Sequence, residues 1–481
     1  MRGGGMSDRT RWRSAFPVPW MTGPFWLASA SPAFAHAADR GFVMLLPTGY
    51  YIAGGAAAVA ASFLVLVAVP PAPLERLARM RIELARLTFD GRVVTSLASF
   101  VVFCALLSAG FAGSRDPLSN PLPLMFWTVW WVGLTLAVGL FGNLWRWLEP
   151  WYGPYRLASL ALRRSRDRAP FSLPARMRYW PPILLFLAFA WFELVYPAPD
   201  DPYRLAVVLA GYWVFTFVGM LLFGHRDWTT RVECFSIFFF MVARLSPFDR
   251  ASGGTLCLRL PGAKATDAEP LPLSGALFLL LALSTVSYDG LMRTFAWLGL
   301  IGINPLEFPG RSAVVIENTA GLGAAFAALA GLFLASIWLG QRLAGEKGGV
   351  SSAAGALVWS IVPIALAYHF SHYLVSLVLN GQYALAAISD PLSRGWNVFG
   401  TAGYHVVAGA AAGADSARLV WNLQAAVIIG GHVLAVAIAH VTAFRLHRDR
   451  RHAALAGLPL AVLMVGYTVF GLWLLSSPTG Y

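Results

Sequence analysis

The 481-residue chain is 58% apolar and only 12% charged, about half the charge of an ordinary soluble domain. It is long enough for two or three soluble domains but has no long polar stretch to build one, so it reads as a single membrane domain. The net charge of +13 does not mark a nucleic-acid binder, because the arginines sit in short blocks between apolar runs, the pattern of cytoplasmic loops.

At the start, Arg9, Arg11 and Arg13 precede an apolar stretch from Ala15 to Ala30, and Ser31-Pro32-Ala33-Phe34-Ala35 follows. That order of charged, apolar and small residues predicts a signal peptide over residues 1–35. Cleavage after Ala35 exposes His36, whose amino group and imidazole together suit copper; the overlapping site after Ala37 exposes Ala38. Pro17, Pro19 and Pro24 interrupt the apolar stretch, so an uncleaved anchor is the alternative.

Residues 36–481 read as one all-α transmembrane helix bundle. About ten spans are expected, near 50–69, 93–112, 124–143, 181–197, 204–223, 271–289, 313–338, 354–379, 418–442 and 455–477, each long enough for a hydrocarbon layer about 30 Å thick. With the mature N-terminus outside, the basic loops at 70–92, 144–180, 224–270, 341–349 and 445–452 all fall inside, which predicts a bacterial inner membrane protein. The stretch 74–87 reads as an amphipathic helix on the inner surface. Arg231–Leu245 is apolar but short, as in an interfacial or re-entrant segment. The Gly- and Ala-rich stretch 381–417 is a long outer loop.

Cys104, Cys234 and Cys257 form no CxxC or CxxxC pair, so neither a disulfide framework nor a thiolate metal site is predicted. The chain has no phosphate-binding glycine loop and no GxSxG elbow. It also shows no internal repeat, which argues against a transporter built from inverted halves.

Ionisable groups inside lipid are costly and point to function. Glu193, Asp289, Glu317, His369, His372, Gln424, His432 and His440 fall within spans, most of them toward the outer side. His369 and His372, three apart, share one helix face, and Pro363 before them can open space beside the helix. With His432 at similar depth, they are the expected ligands of one transition metal, zinc or copper. The opposing reading is interhelical hydrogen bonding. Asp289 and Glu317 are the candidate catalytic carboxylates. Glu193 reads as interfacial, and His440 as set apart near the inner side. Asp390 and His405, on the outer loop, are candidates to fold over the site.

Three stretches carry a resemblance: Ala35-His36-Ala37-Ala38-Asp39-Arg40-Gly41-Phe42, Ser287-Tyr288-Asp289-Gly290 and His369-Phe370-Ser371-His372-Tyr373. Through them the chain resembles polytopic bacterial membrane proteins labelled fenitrothion hydrolase. The resemblance implies hydrolysis of an apolar organophosphate triester with release of a nitrophenol, and it assigns no catalytic residues. A metal on the three histidines would bring a bound water to a pKa of about 7 and polarise the phosphoryl group, with Glu317 or Asp289 as fourth ligand or base. The partners expected are the bilayer and a small apolar substrate, not nucleic acid. A permease or channel for a metal ion or small solute is the rival reading, and a component of a membrane complex is a third.

Overall fold

The computed structural model describes residues 46–86, 90–163, 169–250, 254–346, 349–407, 414–447 and 449–480. The expected signal peptide, its cleavage sites and His36 lie outside the described residues. The main helices are α1 (Thr48–Ala68), α2 (Pro71–Arg79), α3 (Arg92–Ala112), α4 (Pro121–Phe141), α5 (Trp180–Leu194), α6 (Pro202–Phe223), α7 (Cys234–Val242), α8 (Leu273–Met292), α9 (Arg311–Leu343), α10 (Val350–Ala387), α11 (Ala414–Leu446) and α12 (Arg450–Ser476). Among the described residues nine are long and apolar enough to cross a bilayer: α1, α3, α4, α6 and α8 to α12. The shorter apolar helix α5 completes the alternation of up and down. The protein is therefore a multi-pass membrane helix bundle.

Short contacts tie the ends of the helices at a common level. Arg450 Nε and Nη2 donate to the Val67 carbonyl at 3.0 and 2.7 Å, so α12 begins where α1 ends. Arg92 Nε donates to the Arg146 carbonyl at 2.8 Å, joining the start of α3 to the stretch after α4. These residues mark an arginine-rich end; the opposite end carries Asp289. Of the spanning window of α8, 78% is buried, against 11% for α1, so α8 runs through the centre and α1 along the edge. Helix contacts rely on small residues, as expected where lipid removes the hydrophobic drive for helix association. At Gly431 an added Cβ would lie 2.6 Å from Ala367 Cβ and 2.9 Å from the Pro363 carbonyl oxygen, so α10 and α11 touch through backbone.

Two expected segments take another form. The helix expected over 74–87 stops at Arg79, and Ile82–Arg86 is instead a strand, β1. It pairs antiparallel with β3 (Thr255–Leu258), which also pairs with β2 (Phe248–Arg250), in the order β1-β3-β2. The reason is alternation: Ile82 and Leu84 repeat every second residue, the period of a strand. Buried Arg259 locks this small sheet, donating to Asp249 at 3.2 Å, Asp267 at 2.5 Å and the Ala78 carbonyl at 3.0 Å. Those two carboxylates hold the Arg259 guanidinium above its ordinary pKa despite its burial.

The outer loop is shorter than expected, because α10 continues to Ala387. Arg231–Leu245 turns back alongside the bundle, as the re-entrant alternative would have it. His225–Arg231 climbs beside α6, with Trp228 packed on Phe215 at 5.4 Å. Glu233 then meets Tyr212 midway along α6, the hydroxyl donating to Oε1 at 2.6 Å. Glu233 also caps α7, accepting from the Phe235 and Ser236 amides at 3.0 and 2.6 Å, which satisfies donors that lipid could not. From there α7 descends to Ser246, whose hydroxyl donates to the Leu140 carbonyl at 3.0 Å.

Candidate functional site

At the Asp289 end, α4, α5, α8 and α10 converge. Asp289 lies in the last turn of α8 and Arg293 caps its end, with Arg293 Nη2 2.9 Å from Asp289 Oδ1. On α10, His372 Nε2 donates to Asp289 Oδ2 at 2.7 Å. The Tyr373 hydroxyl sits 2.9 Å from the same oxygen and 3.0 Å from Glu193 Oε1, on α5. That hydroxyl has one proton, so it donates to one carboxyl group at a time. A proton on the other carboxyl would complete the chain of hydrogen bonds.

A cavity of about 130 Å³ adjoins this network, lined by Glu193, Asp200, Asp289, Arg293, Arg311 and Tyr373 among others. Arg311 is held there by the carbonyls of Glu193 and Tyr196, at 3.1 and 3.4 Å. A second cavity, of about 30 Å³, lies deeper. Trp131, Glu193 and Tyr373 line both, and the deeper one adds Thr135, Thr285 and His369.

His369 is fixed by local helix geometry. Residues Leu124–Leu134 of α4 wind as a π-helix, a rare form that recurs at functional sites. The Trp131 carbonyl in it accepts from Thr135 Oγ1 at 2.5 Å and from His369 Nε2 at 3.2 Å. The carbonyl can only accept, so Nε2 carries the hydrogen and Nδ1 is left as an acceptor. Tyr373 packs against both histidine rings, with centroids 4.9 Å from His369 and 4.7 Å from His372.

The metal set expected on His369, His372 and His432 is not assembled. His369 turns toward Trp131 on α4 and His372 toward Asp289 on α8. His432 donates through Nδ1 to the Ile428 carbonyl of its own helix at 2.9 Å and lies beside Tyr467 instead. Positions three apart differ by about 60° around a helix, enough for His369 and His372 to face different neighbours. Among the described residues no group of three or more His, Cys, Asp or Glu side chains is disposed to hold a metal ion.

Glu317, expected to be catalytic, is exposed near the start of α9. Its neighbour Asn318 is the one turned inward, accepting from Tyr288 at 3.2 Å and Trp297 at 3.0 Å. Asp289 is central to the cluster. Glu193, read as interfacial, joins it, and Arg293, Tyr373 and Trp131 were missed. The signal for Arg293 was its place four residues after Asp289.

His440 stacks edge-on against Phe444 at 4.7 Å, near the arginine-rich end. Gln424 and Ser371 tie α11 to α10, the amide donating to the Ser371 carbonyl at 2.7 Å. His405 is exposed, and Asp390 organises its own loop, accepting from the Arg394 and Gly395 amides at 2.8 Å each.

No family model matches the chain, and neither a curated protein nor a solved structure matches it significantly.

Proposed function

We propose that the protein is a membrane-integral hydrolase of the bacterial inner membrane, acting on an apolar organophosphate triester from the periplasmic side, as the likeness to fenitrothion hydrolases implies. The observation that carries this reading is the pair of carboxyl groups, Asp289 and Glu193, joined through the Tyr373 hydroxyl and lining one cavity with two arginines. In this reading Glu193 is the general base. It takes a proton from the attacking water, as a carboxylate within reach of a cavity can. Arg293 lines the same cavity and stabilises negative charge gathering on the phosphoryl oxygen. Asp289, held by His372 and Arg293, keeps the arginine aimed. A zinc or copper ion is not assigned to His369, His372 and His432, whose hydrogen-bond partners point three ways.

A second reading is favoured by a separate observation. The deeper cavity and the buried helix start at Glu233 resemble the broken-helix sites of transporters near the bilayer midplane. There the same cluster would bind a small solute or ion in a permease. Full-length protein in nanodiscs, given a nitrophenyl phosphotriester, should release nitrophenol in proportion to protein added. No release, together with solute or ion flux in proteoliposomes, would replace the hydrolase reading with the permease reading.

A further inference from the structure

The deeper cavity has no role in the reaction as described, yet its walls are specific. It is about 30 Å³, room for one or two waters. Its lining combines the Glu193 carboxyl, the Tyr373 hydroxyl, the threonines Thr135 and Thr285, and His369. A water needs two to four polar partners to be stable inside a protein, and this set supplies them. The remaining walls include Phe238, Val242, Ala282 and Leu366, which offer a water nothing.

His369, unlike His372 and His432, lines the deeper cavity together with Glu193. Its Nε2 hydrogen is committed to the Trp131 carbonyl, which fixes the ring and leaves Nδ1 as an acceptor. Glu193 lines both cavities, with Trp131 and Tyr373, and shares the deeper one with His369.

We propose that ordered water in the deeper cavity joins Glu193 to His369, and that His369 is the second holder of the proton that Glu193 takes up. The proton leaves the Glu193 carboxyl oxygen for the water, and the water gives one of its own protons to His369 Nδ1. The products are a carboxylate and an imidazolium separated by a water, with Nε2 still donating to Trp131. Glu193 is thereby returned to its accepting form. The charged and titratable groups around Glu193 from the other elements are Asp289 on α8, Arg293 just past its end, Tyr373 on α10, and Asp200 and Arg311, which line the wide cavity with it; His372 is bonded to Asp289. His369 is the acceptor that lines the deeper cavity and not the wide one. Since it neither touches the substrate nor orients it, His369 acts through Glu193.

This inference rests on Glu193 being the base of the proposed site, but its test reads a vibration and not turnover, so the two can fail separately. Infrared difference spectra of the full chain in nanodiscs, stepped in pH and recorded in H₂O and D₂O, would show the carboxyl stretch of Glu193, identified by its loss in E193Q. The expected result is a band that shifts in D₂O, because the carboxyl proton exchanges through the cavity water, and that moves again in H369F. Ala282→Leu, which fills the cavity from α8 and leaves both groups in place, should produce the same displacement and covers the case in which H369F does not fold. In wild type, ¹⁵N-histidine spectra should show the His369 ring gaining a proton as the Glu193 carboxyl loses one, and this coupling should vanish in E193Q. A Glu193 band indifferent both to D₂O and to Ala282→Leu would overturn the proposal, as would a His369 ring that titrates identically with and without Glu193.

Discussion

The two ends of the bundle each bury a carboxylate between an arginine and a histidine. At the arginine-rich end, Glu149 meets Arg92 and His225, with His225 Nε2 2.8 Å from Glu149 Oε1. At the other end, Asp289 meets Arg293 and His372. The chemistry of the two trios is nearly the same, but the surroundings differ. Around Glu149 the neighbours are packing and backbone: the Arg92 guanidinium lies 3.9 Å from the centre of the Tyr152 ring, and Ser96 donates to the Glu149 carbonyl at 2.6 Å. Around Asp289 there is a second carboxyl group, a shared hydroxyl and a cavity. The two triads being so alike, what the proposed function draws on is the difference beside Asp289: a cavity and a second carboxyl group reached through one hydroxyl.

The largest expected effect breaks the comparison open at Glu193. Glu193→Gln keeps the shape of the side chain and removes the proposed base, so release of nitrophenol should fall by about 100-fold or more. Glu149→Gln should leave the rate within a few-fold. Equal losses in the two variants would mean that the triads do not differ in kind.

Stability should show the reverse ranking. Glu149→Ala strips the partner from a largely buried Arg92 and should cost about 3 kcal/mol, read as a lowered unfolding midpoint in nanodiscs. Glu193→Gln retains an acceptor for Tyr373 and should cost about 1 kcal/mol. If Glu193→Gln proves the more destabilising, Glu193 serves packing more than chemistry.

Much of this architecture could be read along the chain. Each span is a run of about 20 apolar residues, and that signal needs no partner; the stretch Arg231–Leu245 stood apart by being apolar yet too short, as in an interfacial or re-entrant segment. Asp289 stood out because a carboxylate in such a run is costly. What could not be read depends on residues far apart in sequence. The strand Ile82–Arg86 exists because Thr255–Leu258 lies beside it. His369 and His372 share a helix face by spacing, but which neighbour each turns to is set by α4 and α8. Glu193 sits where an interfacial carboxylate would, and only the position of Tyr373 distinguishes it. The π-helical winding that presents the Trp131 carbonyl has no pattern in the residues themselves.

His432 sharpens the comparison in a different way, since it was grouped with the site and lies outside it. His432→Ala should cost about 1 kcal/mol, the usual worth of one polar contact within a bundle. Metal content per folded protein, measured by elemental analysis, should equal that of the wild type. A stoichiometric metal lost on this substitution would restore the three-histidine reading.

The smallest effect concerns a carboxylate that only holds structure, at the same end as Glu193 but outside the membrane-spanning part. Asp390 accepts from the amides of Arg394 and Gly395, and those backbone donors hold its pKa below the ordinary carboxylate range. A group whose pKa is depressed in the folded chain stabilises the fold above its unfolded pKa of about 3.9, and loses that contribution as pH falls through the folded value. The loop from Ile388 to Val407 should therefore keep slow amide exchange at neutral pH and lose it below about pH 4, beyond the intrinsic slowing of exchange in acid. Asp390→Asn keeps one oxygen acceptor and loses the charge, so its amides at 394 and 395 should exchange faster at neutral pH and show no further acid transition. Hydrogen exchange read by mass spectrometry and corrected for intrinsic rates measures both. Turnover should be unchanged, because this carboxylate faces its own loop. An Asp390→Asn variant that loses nitrophenol release while its loop exchange stays native would place Asp390 with Glu193 among the residues that meet the substrate.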